Sequence, residues 1–139
     1  MAIDTFRGEY HWLSNFEPSP IVYKSQLWPT VEHAYQAAKT DNTEQKERIR
    51  AAPTPSNAKV WGRKATMRRT WEDEKVGVMC ELLERKFSIP EFRDKLLATG
   101  DEELIEGNWW GDTFWGVCEG RGLNWLGVIL MTIRKGMRE

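Results

Sequence analysis

Three polar residues in one segment have the types and spacing of a reactive site. In WPTVEHAYQAAK, Glu32, Gln36 and Lys39 are spaced i, i+4 and i+7. At about 100° per residue they cluster on one side of a helix, while a valine and two alanines lie on the other. One face would pack, and the other would present an acid, an amide and an amine. An ordinary solvated face explains the same spacing.

A second carboxylate, Asp112, lies among tryptophans and glycines. The stretch from Gly107 to Gly127, GNWWGDTFWGVCEGRGLNWLG, holds four of the eight tryptophans and six of the eleven glycines. Glycine permits tight turns and close approach of a ligand, and tryptophan offers a flat apolar surface with one N–H donor. The composition favours the wall of a pocket for a flat, partly charged ligand. A tryptophan-rich strand pair with a glycine turn fits equally well.

Two carboxyl groups beside aromatic rings suit the cleavage of glycosidic bonds. One group donates a proton to the leaving group, and the other activates water or stabilises an oxocarbenium-like centre. Glu32 and Asp112 are the candidates, although sequence spacing does not establish that they meet.

The only strongly basic segment runs from residue 59 to residue 69 and includes Arg63 and Trp61. Arginine suits phosphate because its planar fork donates two hydrogen bonds at once. A solvated basic face, balanced by the acids at 72–74, is the alternative. The turn from Gly120 to Asn124 precedes a predicted helix, so its backbone N–H groups would also suit an anion. A plain turn explains that stretch as well.

The sequence contains no motif typical of a metal site or of a reactive cysteine. His11 and His33 have no partner at metal-ligand spacing, and Cys80 and Cys118 lie in apolar surroundings without a CxxC motif. We therefore expect no metal, no cofactor and reduced thiols, which point to the cytoplasm. No export signal or apolar run of about eighteen residues is present, so we expect no membrane span.

The elements that must position these residues follow from local patterns. Thr30 is predicted to cap the helix of Glu32, and Ser56 the basic helix, which we expect Gly62 to end or interrupt. Further helices are predicted at residues 43–50, 70–87 and 90–99. A last helix is predicted to follow Asn124, which would be its N-cap. Short strands are expected near residues 3, 21–23, 104–105 and 113–118. With 139 residues and a net charge of −1, the chain has the size of one domain and no overall attraction to polyanions.

Four blocks of the chain resemble the NADAR superfamily. They are LSNFEPSP, WPTVEHAYQAAK, AKVWGRKA, and GNWWGDTFWGVCEGRGLNWLG followed by ILM-x-x-R. The blocks occur in the family's order from about Phe6 to Arg134, so we expect residues 1–139 to form a single domain of this family. The resemblance implies an α+β fold, a compact domain of mostly helices packed around a small sheet, with a pocket for ribosyl nucleotides.

The resemblance also implies N-glycosidase activity on one of two substrate classes. The first is ADP-ribose attached to guanine bases, with ADP-ribose and ADP-ribosylated DNA as partners. The second is the ribosylamino pyrimidine phosphates of riboflavin biosynthesis. By the family pattern the catalytic residues are Glu32, Lys39 and Asp112. The substrate-binding positions are Ser14, Asn15, Phe16, Trp61, Gly62, Arg63, Asn108, Trp115 and Gly116.

As a mechanistic hypothesis, Glu32 and Asp112 flank the anomeric carbon while Arg63 and the turn before the last helix hold phosphate. Lys39 either stabilises charge and holds a ribose hydroxyl or, with a lowered pKa, attacks the opened sugar as a Schiff-base nucleophile. Its place at a helix end favours the charged form and the first role.

Two non-catalytic functions remain open at this stage. A binding module for ADP-ribose or NAD would keep the tryptophans and Arg63 without needing the two carboxylates. A binder of single-stranded nucleic acid would use Trp61 and Trp71 as a stacking platform.

Overall fold

The computed structural model describes residues 2–139. In chain order the elements are β1 (Ala2–Ile3), a 3-10 helix (Gly8–Leu13), β2 (Ile21–Tyr23), β3 (Gln26–Trp28), α1 (Val31–Ala38), α2 (Thr43–Arg50), α3 (Pro55–Lys64), α4 (Trp71–Lys86), α5 (Pro90–Ala98), β4 (Glu103–Leu104), β5 (Gly107–Asn108), β6 (Val117–Cys118) and α6 (Trp125–Met137). The α+β class is confirmed. Within the described residues, the strands form three two-stranded sheets rather than one small sheet.

The chain forms two compact units. One consists of Asn15–Lys86, and the other of the described residues up to Ser14 together with Phe87–Glu139. Among residues 2–139, no helix combines the length and the apolar character that crossing a membrane requires.

In the unit Asn15–Lys86, α1 is the central element and packs against α2, α3 and α4. All residues from Val31 to Ala37 are buried. The predicted cap is confirmed, because the Thr30 side chain accepts a hydrogen bond from the His33 backbone N–H. The His33 ring is itself buried and contacts Thr30 Oγ1 at 2.8 Å and the Ala52 carbonyl at 3.0 Å. This histidine therefore joins the start of α1 to the chain that follows α2.

The start and end of α3 differ from the prediction. Thr54, not Ser56, caps the helix by accepting from the Asn57 N–H, and Pro55 takes the first helical position, where no N–H is needed. Gly62 does not interrupt α3, which continues to Lys64. Gly62 instead faces α1 at a point of very close approach.

The β2–β3 hairpin has Lys24 and Ser25 in its turn, both with positive φ, at 50° and 66°. This conformation matches the twist of two antiparallel strands. The strand predicted at 21–23 is confirmed, and its partner Gln26–Trp28 was not predicted.

In the other unit, β1 pairs in parallel with β4, and β5 pairs in parallel with β6. Asn124 lies at the N-cap position of α6 but makes no side-chain cap; its side chain instead contacts the Glu106 N–H and the Leu104 carbonyl. Near the other end of α6, buried Arg134 donates to Thr99 Oγ1 and the Glu102 carbonyl, each at 2.8 Å. Both side chains attach α6 to the β4 region of this unit.

Candidate active site

Glu32 is a buried acid in the first turn of α1, where it is 7% exposed. Its Oε2 accepts a hydrogen bond of 2.6 Å from Gln36 Nε2, and its backbone N–H donates to the Asn15 carbonyl at 3.1 Å. Burial raises the pKa of Glu32, opposed by the Gln36 hydrogen bond and by the charges of Lys59, Lys39 and Arg63. A carboxyl group with a raised pKa suits proton transfer near neutral pH.

Lys39 follows α1 as its C-cap residue and shares the environment of Glu32. Burial lowers the pKa of Lys39, the charge of Glu32 opposes this, and the charges of Arg63 and Lys59 reinforce it. The ammonium nitrogen lies 5.9 Å from the centre of the Tyr35 ring. The prediction from the helix end favoured the charged form, whereas burial and two neighbouring cations act against that form.

Helix α3 supplies the cations that act on Glu32. Lys59 and Arg63 are spaced i, i+4 and therefore share one face of the helix. Arg63 was predicted as a site residue, whereas Lys59 was treated only as part of the basic segment. The i, i+4 spacing between Lys59 and Arg63 is the sequence feature that could have identified Lys59 as a site residue.

Gly62 has a packing role in this site. A Cβ added there would lie 2.7 Å from Cδ and 2.9 Å from Cβ of Gln36. Any larger residue would collide with the side chain that holds Glu32. The structure thus explains this glycine by the approach of α3 to α1.

The structure places Trp61 on another face of α3. At about 100° per residue, Trp61 and Arg63 are separated by roughly 160° around the helix. Two cations lie over the Trp61 ring: the Arg48 guanidinium carbon is 4.8 Å from the ring centre, and the Lys64 ammonium nitrogen is 5.0 Å from it. Trp71 is 2% exposed and packs on Tyr35, so it cannot form a stacking platform with Trp61.

Of the predicted residues before β2, Asn15 has the clearest link to the acid. Its carbonyl binds the Glu32 N–H, and its side-chain Oδ1 is buried without a hydrogen-bond partner among the described residues. Phe16 is half-buried in the same unit. Ser14 belongs to the other unit, where its N–H donates to the His11 carbonyl at 2.8 Å.

In the other unit, Asp112 and Asn108 order the loop between β5 and β6. Asp112 Oδ1 accepts from the backbone N–H groups of Phe114 and Trp115, at 3.1 and 2.9 Å. The Asn108 side chain accepts from the Asp112 N–H and donates to the Asp112 carbonyl. One carboxylate oxygen of Asp112 therefore has a structural role, as an Asx-type turn requires.

Sequence reasoning missed an acid, Glu106, that lies directly before β5. Glu106 Oε2 accepts from Asn108 Nδ2 at 3.1 Å. Buried Gly116 leaves room for this acid, because a Cβ at Gly116 would collide with the Glu106 carboxylate and backbone and lie 2.8 Å from Asn108 Nδ2. The sequence feature that could have indicated Glu106 is its position directly before the pair Gly107-Asn108. Trp115 is half-buried and packs edge-on against Phe114.

The turn before α6 does not provide the expected anion site. The backbone N–H groups of Leu123, Asn124, Trp125 and Leu126 donate to carbonyls at residues 113–116. The Arg121 N–H donates to the Cys118 carbonyl. Because three N–H groups of the turn, those of Arg121, Leu123 and Asn124, bind carbonyls of the chain itself, the structure favours the plain turn over the anion site.

A cavity of about 430 Å³ lies on the alanine side of α1, lined by Ala34, Ala37 and Ala38 among others. None of the predicted site residues lines it. One of the cations that line it, Arg68, forms an ion pair with Glu74 at 2.7 Å, so these two charges neutralise each other. The acid of the predicted site is on the opposite side of the helix.

Comparison with known proteins identifies the family to which the chain belongs. The family model described as the NADAR domain matches residues 4–138. The chain is 40% identical over 137 residues to a protein of Nostoc punctiforme named N-glycosidase Npun_R5314, covering 94% of this chain and 87% of that protein. It is 38% identical over 133 residues to the riboflavin biosynthesis protein VVA0006 of Vibrio vulnificus, covering 92% of this chain and 36% of that protein.

A solved structure has the same fold. The NMR structure of the Escherichia coli protein YbiA superimposes with a TM-score of 0.87 at 34% identity, covering 99% of this chain and 84% of that one. The curated sequence of the Escherichia coli protein has the name N-glycosidase YbiA.

Proposed function

Because the chain belongs to the NADAR domain family, we propose that it removes ADP-ribose from guanine bases by hydrolysing the N-glycosidic bond. Its class is that of hydrolases acting on N-glycosyl compounds, as the names of its relatives indicate. The observation that carries the proposal is the buried Glu32 carboxyl group, on whose pKa the charges of Lys39, Lys59 and Arg63 act. We also propose that the whole chain acts as one domain.

In the proposed reaction, protonated Glu32 donates its proton to the departing base nitrogen. The bond between the anomeric carbon and that nitrogen breaks, a water oxygen bonds to the carbon, and the water proton passes to a carboxylate. Burial supports this role, because it raises the pKa of Glu32 and so favours the protonated form.

Asp112 remains the proposed second carboxylate. Its Oδ1 is engaged by two backbone N–H groups, which fixes the orientation of the side chain. Its Oδ2 makes no hydrogen bond with the described residues and keeps its lone pairs for a water molecule or an oxocarbenium-like centre.

The cations and the aromatic rings are proposed to bind the rest of the substrate. Arg63 is exposed on α3 and suits the diphosphate. Trp109 and Trp110 are 68% and 49% exposed, and their rings pack edge to face with centres 5.0 Å apart. Exposed indole rings are suitable for stacking on a purine.

A second candidate function is supported by the Vibrio vulnificus relative, which is named for riboflavin biosynthesis. On this alternative the substrate is a ribosylamino pyrimidine phosphate, and the same acid cleaves its N-glycosidic bond. Arg63 would then bind one phosphate group.

The test is mass spectrometry of products from an oligonucleotide with ADP-ribosyl guanine and, in parallel, from a ribosylamino pyrimidine phosphate. We expect the parent protein to release free ADP-ribose and Glu32→Gln to release at least about a hundredfold less. The matched control is Glu44→Gln, which changes an exposed first-turn acid of α2. Release from the pyrimidine substrate alone would select the second function, and no release from either would refute both.

A further inference from the structure

The side chain of Gln36 is enclosed between Glu32 and α3. It is 4% exposed, and its Nε2 donates the 2.6 Å hydrogen bond to Glu32. Its Oε1 is buried and has no hydrogen-bond partner among residues 2–139. A buried acceptor without a partner is unfavourable, so its presence here calls for an explanation.

Gly62 determines how the amide is held. A Cβ at this position would lie within 2.7 Å of the amide carbon of Gln36 and closer still to Oε1. The absence of a side chain lets the α3 backbone press the amide toward Glu32.

An amide is suited to both protonation states of its neighbour. When Glu32 is ionised, Nε2 donates to the carboxylate, as observed. When Glu32 is protonated, an amide turned through 180° would present Oε1 as the acceptor for the carboxyl proton. The two orientations have nearly the same shape, so the space beside Gly62 accommodates both. The acceptor that is unpaired in one state is used in the other.

We propose that Gln36 is a positioning residue that holds the Glu32 carboxyl group in both of its protonation states, and that Gly62 keeps Gln36 in place. The proposal deepens the role of Glu32 and rests on the proposed function. Gln36 acts through Glu32 and needs no contact with the substrate.

The charged groups that act on Glu32 are Lys39 at the end of α1 and Lys59 and Arg63 on α3. Glu72 at the start of α4 acts on Lys39. All four remain in the variants below, so a change in the Glu32 pKa between variants reports the amide.

The experiment is a carbon-13 NMR titration of the Glu32 carboxyl group, assigned by its loss in Glu32→Gln. Gln36→Met keeps the length of the side chain and removes the amide. We expect it to raise the Glu32 pKa by about one pH unit, because the hydrogen bond donated to the ionised carboxylate is stronger than the one accepted from the protonated carboxyl group. Gln36→Asn, whose amide is one methylene too short, is expected to act in the same direction.

Gly62→Ala tests the second half of the proposal. We expect the same upward shift, and the double variant with Gln36→Met is expected to shift no further than Gln36→Met alone, since both remove one interaction. The control is Gly77→Ala on α4, where an added Cβ meets no atom within 4 Å, and no shift is expected. Full additivity of the two shifts would refute the link between Gly62 and Gln36.

An unchanged Glu32 pKa in both Gln36 variants would overturn the proposal outright. The titration needs no substrate, so it is independent of the proposed function. If the parent protein turns over substrate, the limb of the kcat/KM pH profile assigned to Glu32 should move with the NMR pKa. A shifted pKa in a protein without turnover would support the positioning role and refute only the glycosidase proposal.

Discussion

At the scale of single residues, Glu32 combines its proposed reactive role with a cost to folding. Burial raises its pKa above 4.5, so the ionised form is less favourable in the folded protein than in the unfolded chain. Its contribution to stability is therefore greatest below pH 4.5 and is lost as the pH rises through the folded-state pKa. Function at this position opposes stability at neutral pH.

We expect Glu32→Gln to be more stable than the parent protein at pH 7 to 8. The neutral amide avoids the cost of a buried charge and keeps an oxygen that accepts from Gln36. Thermal unfolding followed by circular dichroism at several pH values would show the difference shrinking as the pH falls toward 4. A variant that is less stable at every pH would contradict the assigned cause of the raised pKa.

Lys39 presents a choice between electrostatic and covalent roles. Burial and the charges of Arg63 and Lys59 lower its pKa, and the charge of Glu32 opposes them. The prediction to be tested is that Lys39 acts as a charged group. Lys39→Arg should then retain a tenth or more of the activity, whereas Lys39→Met should lose roughly a hundredfold. The measurement is product release with the preferred substrate.

The covalent alternative has its own signature. A Schiff base between Lys39 and the opened sugar would be trapped by borohydride as a stable mass increase on the intact protein. We expect no such adduct. Finding one that is absent from Lys39→Met would replace the electrostatic role with a nucleophilic one.

At the scale of elements, the loop between β5 and β6 depends on the side chain proposed for chemistry. Asp112 Oδ1 accepts two backbone N–H groups, and Asn108 contacts both the N–H and the carbonyl of Asp112. Loop order and reactivity can be separated, because asparagine keeps an acceptor oxygen and lacks the charge.

We therefore expect Asp112→Asn to unfold at nearly the parent temperature and to lose at least about a hundredfold in activity. Asp112→Ala should lose activity and also destabilise the loop, since two backbone N–H groups lose their partner. Thermal unfolding and product release would be measured on both variants. Full activity in Asp112→Asn would restrict Asp112 to a structural role.

At the scale of the whole molecule, stability in alkaline solution is tied to Lys86. This lysine at the end of α4 is fully buried, and burial lowers its pKa from 10.5 to about 7, opposed by the charge of Glu17. Between these two values the unfolded chain binds the proton more tightly than the folded protein. Stability contributed at this position therefore rises with pH across that window.

We expect the free energy of unfolding to increase from pH 7 to pH 9.5 in the parent protein and to increase much less in Lys86→Met. Urea unfolding at three pH values in this range would measure both. Lys135→Met, at an exposed position of α6, serves as the control and should keep the parent's slope. Equal slopes in the parent protein and Lys86→Met would show that Lys86 does not cause the effect.

Much of the architecture could be read from local patterns. Helices α2, α4 and α5 were predicted almost to the residue, and so was the Thr30 cap, because periodicity and capping depend on residues that are neighbours in sequence. The placement of Glu32, Gln36 and Lys39 on one face of α1 has the same local origin. The α+β class and the family also followed from the sequence.

The burial and the long-range contacts of those residues were determined only by the tertiary structure. Burial of Glu32 and Trp71, the fit of Gly62 against Gln36, and the contacts of Asn124 with residues 104 and 106 all depend on segments distant in sequence. So does the pairing of the Leu123 and Asn124 N–H groups with the carbonyls of Thr113 and Gly116. Local patterns specify which face a residue occupies, but desolvation and long-range hydrogen bonds exist only once the chain has packed.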